Sequence, residues 1–160
     1  ELLTKKAFNP SEACYLNTIV LMVYLEENTL REILDLVEKI PEETCGFLLG
    51  TAGKQDKKIV TFKAVKNVSK KNKIQKYEIS PKDYLMAEKA ASENKMALLG
   101  IYHTHLNWPA IPSETDRLAA FPNLSYIIIS LKDQVFSDIK SWQLTSNLTF
   151  KEEKIVLNKI

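Results

Sequence analysis

Apolar positions along the chain fall into alternating helical and extended stretches. Leu30, Ile33, Leu34, Leu36 and Val37 recur at helical intervals, which predicts a helix over 29–40 that starts at an Asn28 or Thr29 cap and stops at Pro41. Tyr84, Leu85, Ala87, Ala90 and Ala91 predict a second helix, with Ser80 as its cap and Pro81 in its first turn. A third, short helix is expected at 113–120, behind a rigid loop from Pro109 to Pro112. β-Branched and aliphatic runs predict strands at 18–25, 45–49, 58–65, 77–80, 97–105, 124–131, 135–145 and 148–157. Helices scattered among strands joined by short loops imply an α/β fold, a mixed sheet with helices packed on it.

Composition narrows the class. With 160 residues, 45% hydrophobic and 26% charged, and a net charge of +2, the chain reads as one globular domain with a buried core rather than a disordered one. Its 2 cysteines, Cys14 and Cys45, form no Cys-x-x-Cys pair and exclude a four-cysteine zinc site, an iron-sulfur cluster or a disulfide framework. A reducing, cytoplasmic setting is expected. The longest apolar run, Ile19 to Leu25, falls short of the roughly 20 residues of a membrane span and has no small-residue cleavage site behind it. Residues 1–17 fit no pattern and read as an extension of unknown role before a domain at 18–160.

Charge is unevenly spread. Residues 54–95 hold 12 lysines against 5 carboxylates, a local +7 in a chain of +2. The densest part, Lys66 to Lys76, has no interleaved aromatics and no arginine forks, so it reads as a solvated lysine loop rather than a nucleic-acid surface. An acidic protein partner stays open.

The chemistry sits in the rarest residues. There are 2 histidines, so any metal site that uses imidazole pairs must use both. His103 and His105 lie at alternate positions of an expected strand, and therefore on one face within reach of one ion. Asp116, one turn into the third helix, can add a carboxylate if the Pro109 to Pro112 loop folds back over the strand end. Two imidazoles, a carboxylate and an open position make the donor set of catalytic rather than structural zinc. Ser113-x-x-Asp116 also reads as a capping box, and Glu43 also reads as a solvated carboxylate beside Glu42.

Glu43 followed by His103-x-His105, a seven-residue spacer, Ser113, two residues and Asp116 resembles the JAMM motif of the MPN-domain zinc metalloproteases, and Pro41 to Gly50 is similar to the segment bearing the catalytic Glu in compact prokaryotic-type members. The resemblance covers about Thr18 to the C-terminus. It implies a curved mixed β-sheet flanked by helices, similar to the cytidine deaminase fold, although the deaminase signature itself is absent. It further implies Zn2+ on His103, His105 and Asp116, Glu43 as general base toward a water, and the Ser113 hydroxyl at the oxyanion. The implied substrates are ubiquitin-like or sulfur-carrier proteins whose Gly-Gly tails lie extended, as an added strand. The implied reaction is hydrolysis of a peptide or isopeptide bond, with a non-catalytic MPN scaffold as the alternative. Leu106 departs from the pattern, standing where many members have Pro, and should change loop rigidity rather than ligation.

Overall fold

The computed structural model describes residues 21–159. The expected extension at 1–17 lies outside them. Along the described chain run β1 (Met22–Glu26), α1 (Glu27–Val37), β2 (Cys45–Ala52), β3 (Asp56–Val65), α2 (Pro81–Glu93), β4 (Ala97–Leu106), α3 (Glu114–Ala119), β5 (Ser125–Lys132), β6 (Val135–Leu144) and β7 (Phe150–Asn158). The α/β class holds.

The expected curved mixed sheet is corrected. The strands close into a barrel in the order β1-β3-β2-β4-β5-β6-β7. β1 makes the closure: it runs parallel to β3, with Val23 opposite Lys57, and parallel to β7, with Val23 opposite Ile155. Both of its main-chain edges are therefore paired, while Val23 and Leu25 are buried in the core. At this seam the Lys57 ammonium donates to the Asn123 carbonyl (2.9 Å) and the Ser125 hydroxyl (2.8 Å), and stands 3.9 Å from the buried Glu153 carboxylate. Glu153 also accepts from Ser141 at 2.7 Å.

Each sheet face meets a helix. Leu48, Tyr102, Ile127 and Ile129 share a cluster with Leu30, Ile33 and Val37 of α1. Their sequence neighbours Phe47, Leu49, Ile101 and Tyr126 turn the other way, onto Ala87 and Ala91 of α2. α2 begins as its sequence demands, with the Ser80 hydroxyl accepting from the Asp83 N–H and Pro81 following. α1 instead runs straight on from β1 with Glu26 as an N-cap that makes no side-chain hydrogen bond, and the Thr29 hydroxyl donates to Val60 O (3.2 Å). Residues 77–80 are not a strand. Their neighbourhood is a loop whose polar main-chain groups bond to the Asn67 amide and to each other, as in Val68 N to Glu78 O at 2.9 Å.

Candidate metal centre

The site forms where β4 ends, on the face that also carries Ile101. His103 and His105 continue that face by strand alternation, and both are buried. Across the ladder, β2 runs antiparallel with Cys45 opposite His103. The pairing persists one step further, since Thr104 N–H donates to Thr44 O (3.0 Å) and Thr44 N–H to the Thr104 hydroxyl (2.9 Å). Glu43, the next residue back, therefore comes to His105.

Asp116 arrives from α3. Its carboxylate closes a capping box: Ser113 N–H and the Ser113 hydroxyl both donate to Oδ2 at 2.7 Å, and Asp116 N–H donates to the Ser113 hydroxyl at 3.1 Å. Helix capping and facing the histidines are thus one arrangement rather than competing ones. Oδ1 lies 3.2 Å from His103 Nε2 and Oδ2 lies 3.4 Å from His105 Nε2. The two Nε2 atoms are 3.1 Å apart. The far nitrogen of His105 faces the Pro109 carbonyl at 2.7 Å, which selects the tautomer that leaves Nε2 free of hydrogen when the ring is neutral.

Electrostatics follow from this burial. The Glu43 carboxyl is pushed up to about 8, first by burial, then by Asp116, against an opposing pull from His105. Burial holds His103 below the ordinary histidine range, the neutral state that ligation needs. Burial would also lower His105, yet its bonds to Asp116 and Pro109 raise it on balance. For Asp116 burial opposes ionisation, but the two imidazoles and Ser113 hold it well below the usual carboxylate range.

The donor atoms of His103, His105 and Asp116 all lie within 4.8 Å of one another. Two inward imidazole nitrogens and a carboxylate oxygen, buried and converging, fit a divalent ion with nitrogen and oxygen ligands. Among the described residues His103 Nδ1 is buried without a hydrogen-bond partner, so the polar neighbours that these residues give the ring lie at Nε2. Cys45 takes no part. Its thiol is pushed up to about 12, chiefly by burial.

Glu43, His105, Ser113 and Asp116 line a cleft of about 320 Å³ together with Ile74, Gln75, Leu106 and Trp108. Gln75 and Asp116 also line a neighbouring pocket with Tyr77 and Ala119, and these two in turn line an apolar groove of about 1030 Å³ that includes Tyr84, Leu85 and Phe121. Tyr77 carries no motif signal, yet its ring stacks on His103 with centroids 4.3 Å apart. Only the aromatic amid the lysine loop's end hinted at it.

Residues 26–145 match the family described as prokaryotic homologs of the JAB domain. A desampylase of Pyrococcus furiosus is 27% identical over 135 residues, covering 83% of this chain and 89% of that one. A CysO-cysteine peptidase of Mycobacterium tuberculosis is 25% identical over 115 residues, covering 70% and 75%. Among solved structures, a protein of Desulfitobacterium hafniense superposes with a TM-score of 0.76 at 30% identity, covering 87% of this chain and 94% of that one. The chain belongs to the JAB/MPN domain family, in its prokaryotic branch.

Proposed function

We propose that residues 18–160 form a zinc-dependent isopeptidase domain that hydrolyses the peptide or isopeptide bond at the C-terminal tail of a ubiquitin-like or sulfur-carrier protein. The reading is carried by one observation: the buried carboxyl of Glu43 opens into the same cleft as the convergent His105 and Asp116. The names of the relatives, desampylase and CysO-cysteine peptidase, support the substrate class. So does the apolar groove beyond Tyr77 and Ala119, whose exposed Leu85 and Phe121 suit a protein surface better than a small polar molecule.

His103, His105 and Asp116 would hold the zinc, which supplies Lewis acidity toward a carbonyl and toward water. Glu43 takes one proton from the attacking water and delivers it to the departing amine. The new C–O bond replaces the C–N bond, and the products are a carboxylate and an amine. Trp108 and Ile74, both lining the cleft, offer apolar surface to the residues around the scissile bond. Ser113 donates its hydroxyl to the developing oxyanion, for which it must turn its proton away from Asp116 Oδ2.

The test uses a small Gly-Gly-ended protein from the same genome, extended at its C-terminus and followed by mass spectrometry. Cleavage that is lost with chelator, and lost in Glu43→Gln while zinc remains bound, is the expected result. A Glu43→Gln chain that cleaves at the wild-type rate sinks the proposal.

A further inference from the structure

Asn67 is a polar residue only 4% exposed, set in the lysine-rich loop after β3 and away from the motif. Its carboxamide has two donor hydrogens and two acceptor lone pairs. All four are used. Nδ2 donates to Glu43 O (2.9 Å) and to Lys76 O (2.9 Å). Oδ1 accepts from Ser69 N–H (3.0 Å) and Glu78 N–H (3.1 Å). Turning the amide over would set oxygen against two carbonyls and NH2 against two N–H groups, so the network fixes its orientation.

The four bonds go to meaningful places. Lys76 O and Glu78 N–H flank Tyr77, whose ring lies 4.3 Å from that of His103. Glu43 is gripped twice, since its own N–H donates to Lys73 O of the same loop at 2.7 Å. One amide thereby ties the main chain of the base to the loop that covers a metal-facing histidine.

We propose that Asn67 is a positioning residue of this site: by bonding Glu43 O and both neighbours of Tyr77, it fixes the separation between the Glu43 carboxyl and His103. The proposal rests on Glu43 acting as base, as argued above. Loss of the clamp lets Glu43 shift relative to the histidines, and displacements near 1 Å can lower turnover about 100-fold. Substrate binding, made by the groove and the cleft walls, changes little.

The discriminating variant is Asn67→Asp, which keeps the acceptors but loses the donors and sets charge against two carbonyls. Ser69→Ala is the control, because it deletes a hydroxyl bonded within the loop to Lys71 O and leaves the Asn67 network intact. With the zinc-loaded full chain and the extended Gly-Gly protein as probe, Asn67→Asp should keep one zinc, lower kcat roughly 10- to 100-fold and leave KM within about twofold. Hydrogen exchange at the Glu43 amide should quicken, and Ser69→Ala should match wild type in both respects. Should Asn67→Asp not fold, Asn67→Ser is read by the same criteria. Wild-type kcat and Glu43 amide protection in the Asn67 variant overturn the assignment, as does an equal loss in Ser69→Ala. A wild-type chain without cleavage, or an active Glu43→Gln, instead counts against the proposed function, and amide exchange still reads the clamp.

Discussion

Ser113 and Asp116 hold each other from both directions: the serine N–H and hydroxyl donate to Asp116 Oδ2 at 2.7 Å, and the aspartate N–H donates back to the hydroxyl at 3.1 Å. The start of α3 and the orientation of a metal-facing carboxylate are therefore the same set of bonds. Ser113→Ala removes the hydroxyl from both. It should lower stability by about 1 kcal/mol, the usual effect of losing a cap, and weaken zinc binding about 10- to 100-fold. Chelator competition beside thermal melting checks this, and unchanged zinc affinity would separate the cap from the site.

Glu43 predicts a pH-dependent stability in metal-free protein. Its folded carboxyl sits at about 8 against an ordinary 4.5, chiefly through burial, so the folded chain holds this proton more tightly than the unfolded chain. Its contribution is full below 4.5 and is lost as pH rises toward 8. Urea melts across that window should show wild type losing on the order of a few kcal/mol relative to Glu43→Gln. A constant difference between the two counts against a buried, protonated Glu43.

Zinc binding should release protons at neutral pH. His105 is raised on balance by Asp116 and Pro109 despite burial, and Glu43 is mostly protonated, while a bound cation favours the bare forms of both. Calorimetry in two buffers of different ionisation enthalpy measures the release. Glu43→Gln should release fewer protons than wild type; equal release contradicts the assignment.

Where β1 closes the barrel, Glu153→Ala should lower stability by roughly 1–3 kcal/mol, because it leaves the buried Ser141 hydroxyl without its acceptor and the partly buried Lys57 ammonium without its nearby carboxylate. Lys57 is already pulled below its ordinary range by burial, and Glu153 is what opposes that pull. A double variant with Lys57→Met should recover part of the loss in denaturant melts.

Much of the site was legible because it obeys local rules. Strand alternation put His103 and His105 on one face, and Ser80 and Pro81 announced α2. What was hidden depends on pairings remote in sequence. Glu43 meets His105 only through the register that sets Cys45 against His103. The barrel closes only because Met22 finds both Asp56 and Lys154. Residues 77–80 have strand-like side chains, yet the Asn67 amide claims the main-chain groups beside them, which no period in the sequence announces.

The closure made by β1 leaves part of the sheet's edge uncovered. β1 pairs with β3 only over Asp56 to Ile59, and β7 with β6 only over Ser141 to Leu144, so among the described residues the later part of β3 and the first part of β6 have a strand neighbour on one side only. On the proposed function, a tail reaching Glu43 and Asp116 passes Ile74, Gln75 and Trp108, which line the same cleft. Selectivity for one tail over another then rests, on that proposal, with loop residues around the cleft rather than with the barrel strands.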